Sequence, residues 1–197
     1  MYKPIVLATN NPHKLQEYRE ILAPMGYVIY GTKDLNIDCD PPEIGNTYEE
    51  NAYIKAKALR NLVPYPVISD DSGLEIEALD NFPGIHSARF ASQFKNYKEA
   101  MEEILKRMKD EENRNAAFHC TICLLENKDS KPLFFTGICP GKILDHIEGE
   151  HGFGYDPIFQ PEGYTETFAE MGNEEKNKIS HRARAVQQLV EYLRSEN

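Results

Sequence analysis

Residues 4–9, PIVLAT, are apolar without alternation, the pattern of a strand buried on both faces. The period then changes. In NNPHKLQEYREILAPMG, Leu15, Tyr18, Leu22 and Met25 recur at helical spacing. Asn11 is a suitable cap, Pro12 suits the first helical turn, and Gly26 closes the far end. YVIYGT predicts a second strand, so the chain opens β-α-β. Residues 33–46, with Pro41, Pro42 and Gly45, read as a loop. Thr47 and Glu50 then have capping-box spacing at the head of a helix whose stripe is Ala52, Ala56, Leu59 and Val63.

PVIS predicts a short buried strand that stops at Asp70 and Asp71, and LEIEAL a separate strand with one polar face. An amphipathic helix covers 97–109 through Ala100, Ile104, Leu105 and Met108. AAFHCTICLLE and PLFFTGICPGKIL flank the polar turn NKDSK and predict a hairpin. Ser180 caps a last helix with Ala183, Val186, Leu189, Val190 and Leu193 on its core face. Early alternation of strands and helices, followed by a hairpin, predicts an α/β protein: a mixed twisted sheet with flanking helices and a second lobe.

Composition narrows the function. Length and a hydrophobic share of 41% fit one domain, residues 1–197, with a real core. No run approaches the roughly 18 apolar residues of a membrane span, and MYKPIVLATNN is too short in apolar residues for a secretory leader. A soluble, cytoplasmic protein with no membrane partner is expected. The net charge of −10 argues against a protein that coats a nucleic-acid polymer. It does not exclude a small anionic ligand, because a local cation cluster or a metal reverses the field. Cys120 and Cys123 are spaced CxxC, but on a strand their sulfurs point to opposite faces. With Cys39 and Cys139 they read as free thiols in a reducing compartment.

Four stretches have candidate chemistry. ATNNPHK joins a strand to a helix start, where unpaired N–H groups and the helix dipole favour an anion. Lys14 adds a cation, and Thr9, Asn10 and Asn11 add polar groups; from this stretch alone a plain helix start with a solvated lysine is the favoured reading. SDDSG puts two carboxylates at an expected strand end, where α/β sheets usually bind ligands. Mg²⁺ would neutralise them, and an Asp-rich turn is the alternative. GFGYDP lacks a complete GxGxxG. Phe153 and Tyr155 there suit the two faces of a base or an aromatic core turn, and Asp156 before Pro157 is expected to be extended. EEKNKISHRARA places Lys176, His181 and Arg182 near a helix start, suited to an anion or a base carbonyl, or to a solvated charged face.

Taken in order, ATNNPHKLQE, TYEENAYIKAKA, SDDSGLEIEAL, PGIHSAR, GFGYDPIF and FAEM…EEKNKISHRARA span nearly the whole chain. In this order they resemble the inosine/xanthosine triphosphate pyrophosphatases. The resemblance implies a homodimer of two-lobed subunits around a nucleotide-binding cleft. It implies Mg²⁺-dependent hydrolysis of ITP, dITP or XTP to monophosphate and pyrophosphate. The family's polyphosphate turn matches Thr9, Asn10, Asn11, Pro12, His13 and Lys14. Its catalytic, metal-holding aspartate matches Asp71, and a neighbouring substrate contact matches Ser72. Its base-binding segments match Phe153, Gly154, Tyr155, Asp156, Lys176, His181 and Arg182. A second metal carboxylate is expected from the loop or helix that holds Glu43, Glu49 and Glu50, with Glu43 the first choice. The family turn often reads Thr-Gly-Asn; Asn10 would suit a positive φ at the glycine's place. The rival readings are a pyrophosphatase for modified pyrimidine triphosphates and a nucleotide-binding regulator without turnover.

Overall fold

The computed structural model describes residues 3–196; Met1, Tyr2 and Asn197 of the expected 1–197 domain lie outside the described residues. The elements alternate first: β1 (Lys3–Leu7), α1 (Pro12–Leu22), β2 (Tyr27–Gly31), α2 (Tyr48–Arg60) and β3 (Val67–Ile76). A short β4 (Phe82–Pro83), α3 (Ser87–Ala91) and α4 (Tyr97–Arg107) follow. The predicted hairpin is β5 (Asn115–Leu125) and β6 (Leu133–Ile143), and the chain closes with β7 (Phe159–Pro161), α5 (Asn173–Ile179) and α6 (His181–Ser195). The sheet runs β2-β1-β3-β5-β6-β7, with β4 on β3. It is mixed: β1 is parallel to β2 and β3, while β4 is antiparallel to β3 and β7 to β6.

The chain divides into two compact units. The first comprises residues up to Asp71, then Cys120–Gly137 and Arg182 onward. Alternation along β1 gives it two cores. Ile5 and Leu7 pack with Tyr18, Leu22, Val186 and Leu189 of α1 and α6. Val6, between them, packs with Ala52, Ala56 and Leu59 of α2. The CxxC follows the same rule: Cys120 lies in the first core and Cys123 in the second. Burial pushes both thiols up, Cys123 to about 12, so they stay neutral and serve as packing.

The second unit comprises Ser72–His119 and Ile138–His181. Its core joins Leu74 and Ile76, the Ala100–Met101–Ile104–Met108 face of α4, and a cluster of Phe118, Phe159 and Phe168.

Three local expectations are corrected. β3 does not stop at the aspartates but runs through them to Ile76, and Glu77–Leu79 is a 3-10 turn. The charges do not break the strand because buried cations face them, as described below. Met25 is 42% exposed, because a 3-10 turn at Ala23–Met25 takes it off the helical stripe. Asp156 is not extended: it heads a 3-10 turn over Asp156–Ile158, held by hydrogen bonds exchanged with Phe153.

Candidate active site

In the first unit, α1 begins as the sequence predicts. The Asn11 side chain accepts the N–H groups of His13 and Lys14, at 3.0 and 3.4 Å, and Thr9 Oγ1 accepts the Asn11 N–H at 3.1 Å. Pro12 and His13 are exposed; Thr9, Asn11 and Lys14 are half-buried. Asn10 has no positive φ. Its amide instead donates to the Cys39 carbonyl and Asp40, and its oxygen accepts from Thr32 Oγ1. It ties the turn to the loop that carries Glu43.

Asp70 is the hub of a buried ion-pair network. Its Oδ1 takes Lys14 Nζ at 2.6 Å. Its Oδ2 takes Arg182 Nε at 2.7 Å and the Tyr18 hydroxyl at 2.9 Å. Arg182 also pairs with Glu17 and is 1% exposed. Burial alone would raise the Asp70 pKa. The charges of Arg182, Lys14 and Lys55 outweigh it and hold the carboxyl well below its usual range. Removing one member would leave an uncompensated buried charge and destabilise the fold.

Asp71, alternate on the strand, has a separate set of partners. Asn51 Nδ2 lies 3.4 Å from its Oδ2, and Lys55 Nζ lies 3.5 Å from its Oδ1. The same ammonium is 3.0 Å from Glu43 and donates to the Asp70 carbonyl at 2.6 Å. Burial pushes the Asp71 pKa up to about 6; Lys55 and Lys14 oppose this, and Glu43 and Asp70 add to it. One buried aspartate is thus firmly ionised and its neighbour is poised near neutrality, a contrast typical of sites that move protons.

Two carboxylates, Asp71 and Glu43, already converge on one cation, the Lys55 ammonium. Their donors are all oxygen, which suits a hard dication held by one or two carboxylates and completed by substrate phosphates. Among the described residues no group of three or more His, Cys, Asp or Glu is placed to hold a metal, so substrate oxygens and water would have to supply the remaining ligands.

In the second unit, Lys176 is 1% exposed and pairs with Asp156 at 2.7 Å. Its ammonium lies 4.7 Å from the Phe153 ring centre and 5.6 Å from that of Phe168, within cation–π range. His181 stacks on Phe118 at 4.7 Å. Gly154 has φ 66°, so only glycine is relaxed there. Ser72 is half-buried and begins this unit's share of β3. The unit boundary falls between His181 and Arg182. Of the residues matched to base binding, Phe153 to Asp156, Lys176 and His181 belong to the second unit, and Arg182 to the first.

Lys176 and Arg182 are therefore not parts of a solvated charged face. Both are buried because each has a carboxylate partner. Sequence reasoning missed Glu17, Tyr18, Asn51 and Lys55. A signal existed: Lys14, Glu17 and Tyr18 share a helix face by i, i+3, i+4 spacing, as do Asn51 and Lys55 by i, i+4.

The Ham1 family model matches residues 5–192. The chain belongs to the Ham1 family. Among its relatives, the dITP/XTP pyrophosphatase of Christiangramia forsetii is 43% identical over 96% of this chain and 98% of its own length. That of Bacillus subtilis is 40% identical over 97% of both. Two solved Ham1 structures share the α/β fold at 38% identity. The Staphylococcus aureus Ham1 protein has a TM-score of 0.86 over 99% of this chain and 100% of its own, and a HAM1 protein from Coxiella burnetii 0.87 over 98% and 99%. No helix among the described residues of this Ham1 chain is long and apolar enough to cross a membrane.

Proposed function

We propose that this chain hydrolyses deaminated purine nucleoside triphosphates, ITP, dITP and XTP, to the monophosphate and pyrophosphate, with Mg²⁺. The observation that carries this reading is the Glu43–Lys55–Asp71 arrangement in a Ham1-family chain. It supplies a buried carboxylate poised near neutrality beside a cation-binding pair, which is what water attack on a polyphosphate needs. The names of the relatives, dITP/XTP pyrophosphatases, support the substrate class.

Asp71 and Glu43 would hold the metal, which when bound neutralises phosphate oxygens. Asp71 orients the attacking water and takes its proton. Lys14 and the N-terminus of α1 hold the polyphosphate, with Thr9 and Asn11 shaping the turn. Ser72 contacts substrate beside Asp71. Phe153, Gly154, Tyr155, Asp156, Lys176 and His181 form the base-side set, whereas Arg182 is paired with Asp70 and Glu17 in the first unit. Lys176 can only donate, so it can donate to the 6-oxo oxygen of hypoxanthine or xanthine and opposes adenine's 6-amino donor. Work as a homodimer in the cytoplasm, without a nucleic-acid partner, belongs to the same proposal.

The test incubates the protein with ITP and Mg²⁺ and measures IMP, pyrophosphate and orthophosphate. IMP and pyrophosphate in equal amounts, abolished by EDTA, support the proposal. Orthophosphate as first product, or turnover of a modified pyrimidine triphosphate in preference to ITP, overturns it. Binding of ITP without turnover would leave a nucleotide-binding regulator.

A further inference from the structure

The block PGIHSAR has no task in the proposed function. It folds into a 3-10 turn, Gly84–His86, and α3. Ser87 is 5% exposed at the start of α3. Its hydroxyl donates to the Gly84 carbonyl at 2.6 Å and accepts the Leu74 N–H at 2.9 Å. Gly73, just before Leu74, is pressed against the same turn. A β-carbon there would lie 2.0 Å from the Gly84 carbonyl oxygen and 3.0 Å from Ser87 Oγ. The backbone after the two aspartates is thus clamped to residues 84–87 with no room for a side chain.

The Ser87 backbone has a second partner. Its carbonyl accepts the Tyr155 hydroxyl at 2.6 Å. Tyr155 is 4% exposed, and its ring meets that of Tyr97 edge-on at 5.3 Å. Both its polar tip and its ring therefore have internal partners, although the resemblance groups it with base contacts. The turn that holds it has Gly152 and Gly154 at positive φ, 71° and 66°. Glycines leave such a turn conformationally permissive, so its shape depends on tethers. Asp156 provides one, through Phe153 N–H and Lys176. The Tyr155 hydroxyl provides the other.

We propose that Ser87 is a positioning residue that, through Leu74 and Tyr155, fixes the Ser72–Leu74 strand segment and the 152–156 turn at one spacing. The inference rests on the proposed function, in which Ser72 and that turn contact the same nucleotide. A turn and a strand segment held to a fraction of an ångström orient the substrate, whereas a displacement near 1 Å costs on the order of 10²-fold at worst.

The experiment measures kcat and KM on ITP for wild type, Ser87→Ala, Tyr155→Phe, the double variant, and Ile104→Val as a control for lost stability in the same core. Thermal unfolding is recorded for each. Each single polar variant is expected to lower kcat/KM about five- to tenfold. The double variant should fall no further than the worse single variant, because one linkage is cut twice. Ile104→Val should lose stability with kcat/KM intact. Wild-type turnover together with an unchanged kcat/KM in Ser87→Ala, or with effects that multiply in the double variant, overturns the inference alone. A wild-type protein that does not hydrolyse ITP overturns the functional reading and this inference with it.

Discussion

Asp71→Asn keeps the shape of the carboxylate and removes its charge and basicity. The fold should survive, because the partners of Asp71 are an amide and a half-shared lysine. Turnover on ITP should fall about 10²–10⁴-fold, the usual worth of a general base. Asp70→Asn should behave in the opposite way. It strips Lys14 and Arg182 of a buried partner and is expected to cost about 3–5 kcal/mol in urea unfolding. A folded, active Asp71→Asn, or a fully stable Asp70→Asn, would reverse the two assignments. The pKa values add a test that needs no substrate. Asp71 titrates near 6 in the folded chain, against the usual 3.8. Between those values the folded chain holds the extra proton. This term therefore lowers stability as pH rises from about 4 to 6 and is level above, a loss on the order of 3 kcal/mol. In EDTA, the difference in stability between wild type and Asp71→Asn should drift against wild type over that window. A constant difference from pH 4 to 8 would show that Asp71 is not perturbed.

At the scale of elements, α1 joins cap, cation and core in one helix. Asn11→Ala removes the acceptor for two N–H groups and should cost about 1 kcal/mol. Lys14→Ala should weaken ITP binding more than IMP binding, since only the former has the outer phosphates. Equal losses by calorimetry would place Lys14 elsewhere. Most elements were legible from pattern. The cap at Asn11, the Ala52–Ala56–Leu59 stripe and the β5–β6 pair follow local rules of period and turn chemistry. The uninterrupted β3 was not legible. Two adjacent aspartates end a strand unless cations meet them, and Arg182 lies 112 residues from Asp70. The 3-10 turn at Asp156 was hidden for another reason: a residue before proline favours extension, and the bonds with Phe153 that override it are not visible in the pattern. Candidate site residues were named from spacing and resemblance. Helical spacing put Glu17 on a face with Lys14, and Asn51 on one with Lys55, but which carboxylates those faces meet is set by the fold.

For the whole molecule, an acidic chain is expected to act on a polyanionic substrate. The net charge of −10 describes the chain as a whole, while each unit has cations of its own: half-buried Lys14 and Lys55 and buried Arg182 in the first, and buried Lys176 in the second. Selection of deaminated purines over adenine nucleotides is tested most directly by kcat/KM for XTP and dITP beside ATP and dATP at one Mg²⁺ concentration. A 6-amino group facing the buried Lys176 ammonium meets a donor instead of an acceptor, which should disfavour the adenine nucleotides by about 10²-fold. ATP hydrolysed within a fewfold of XTP would contradict it.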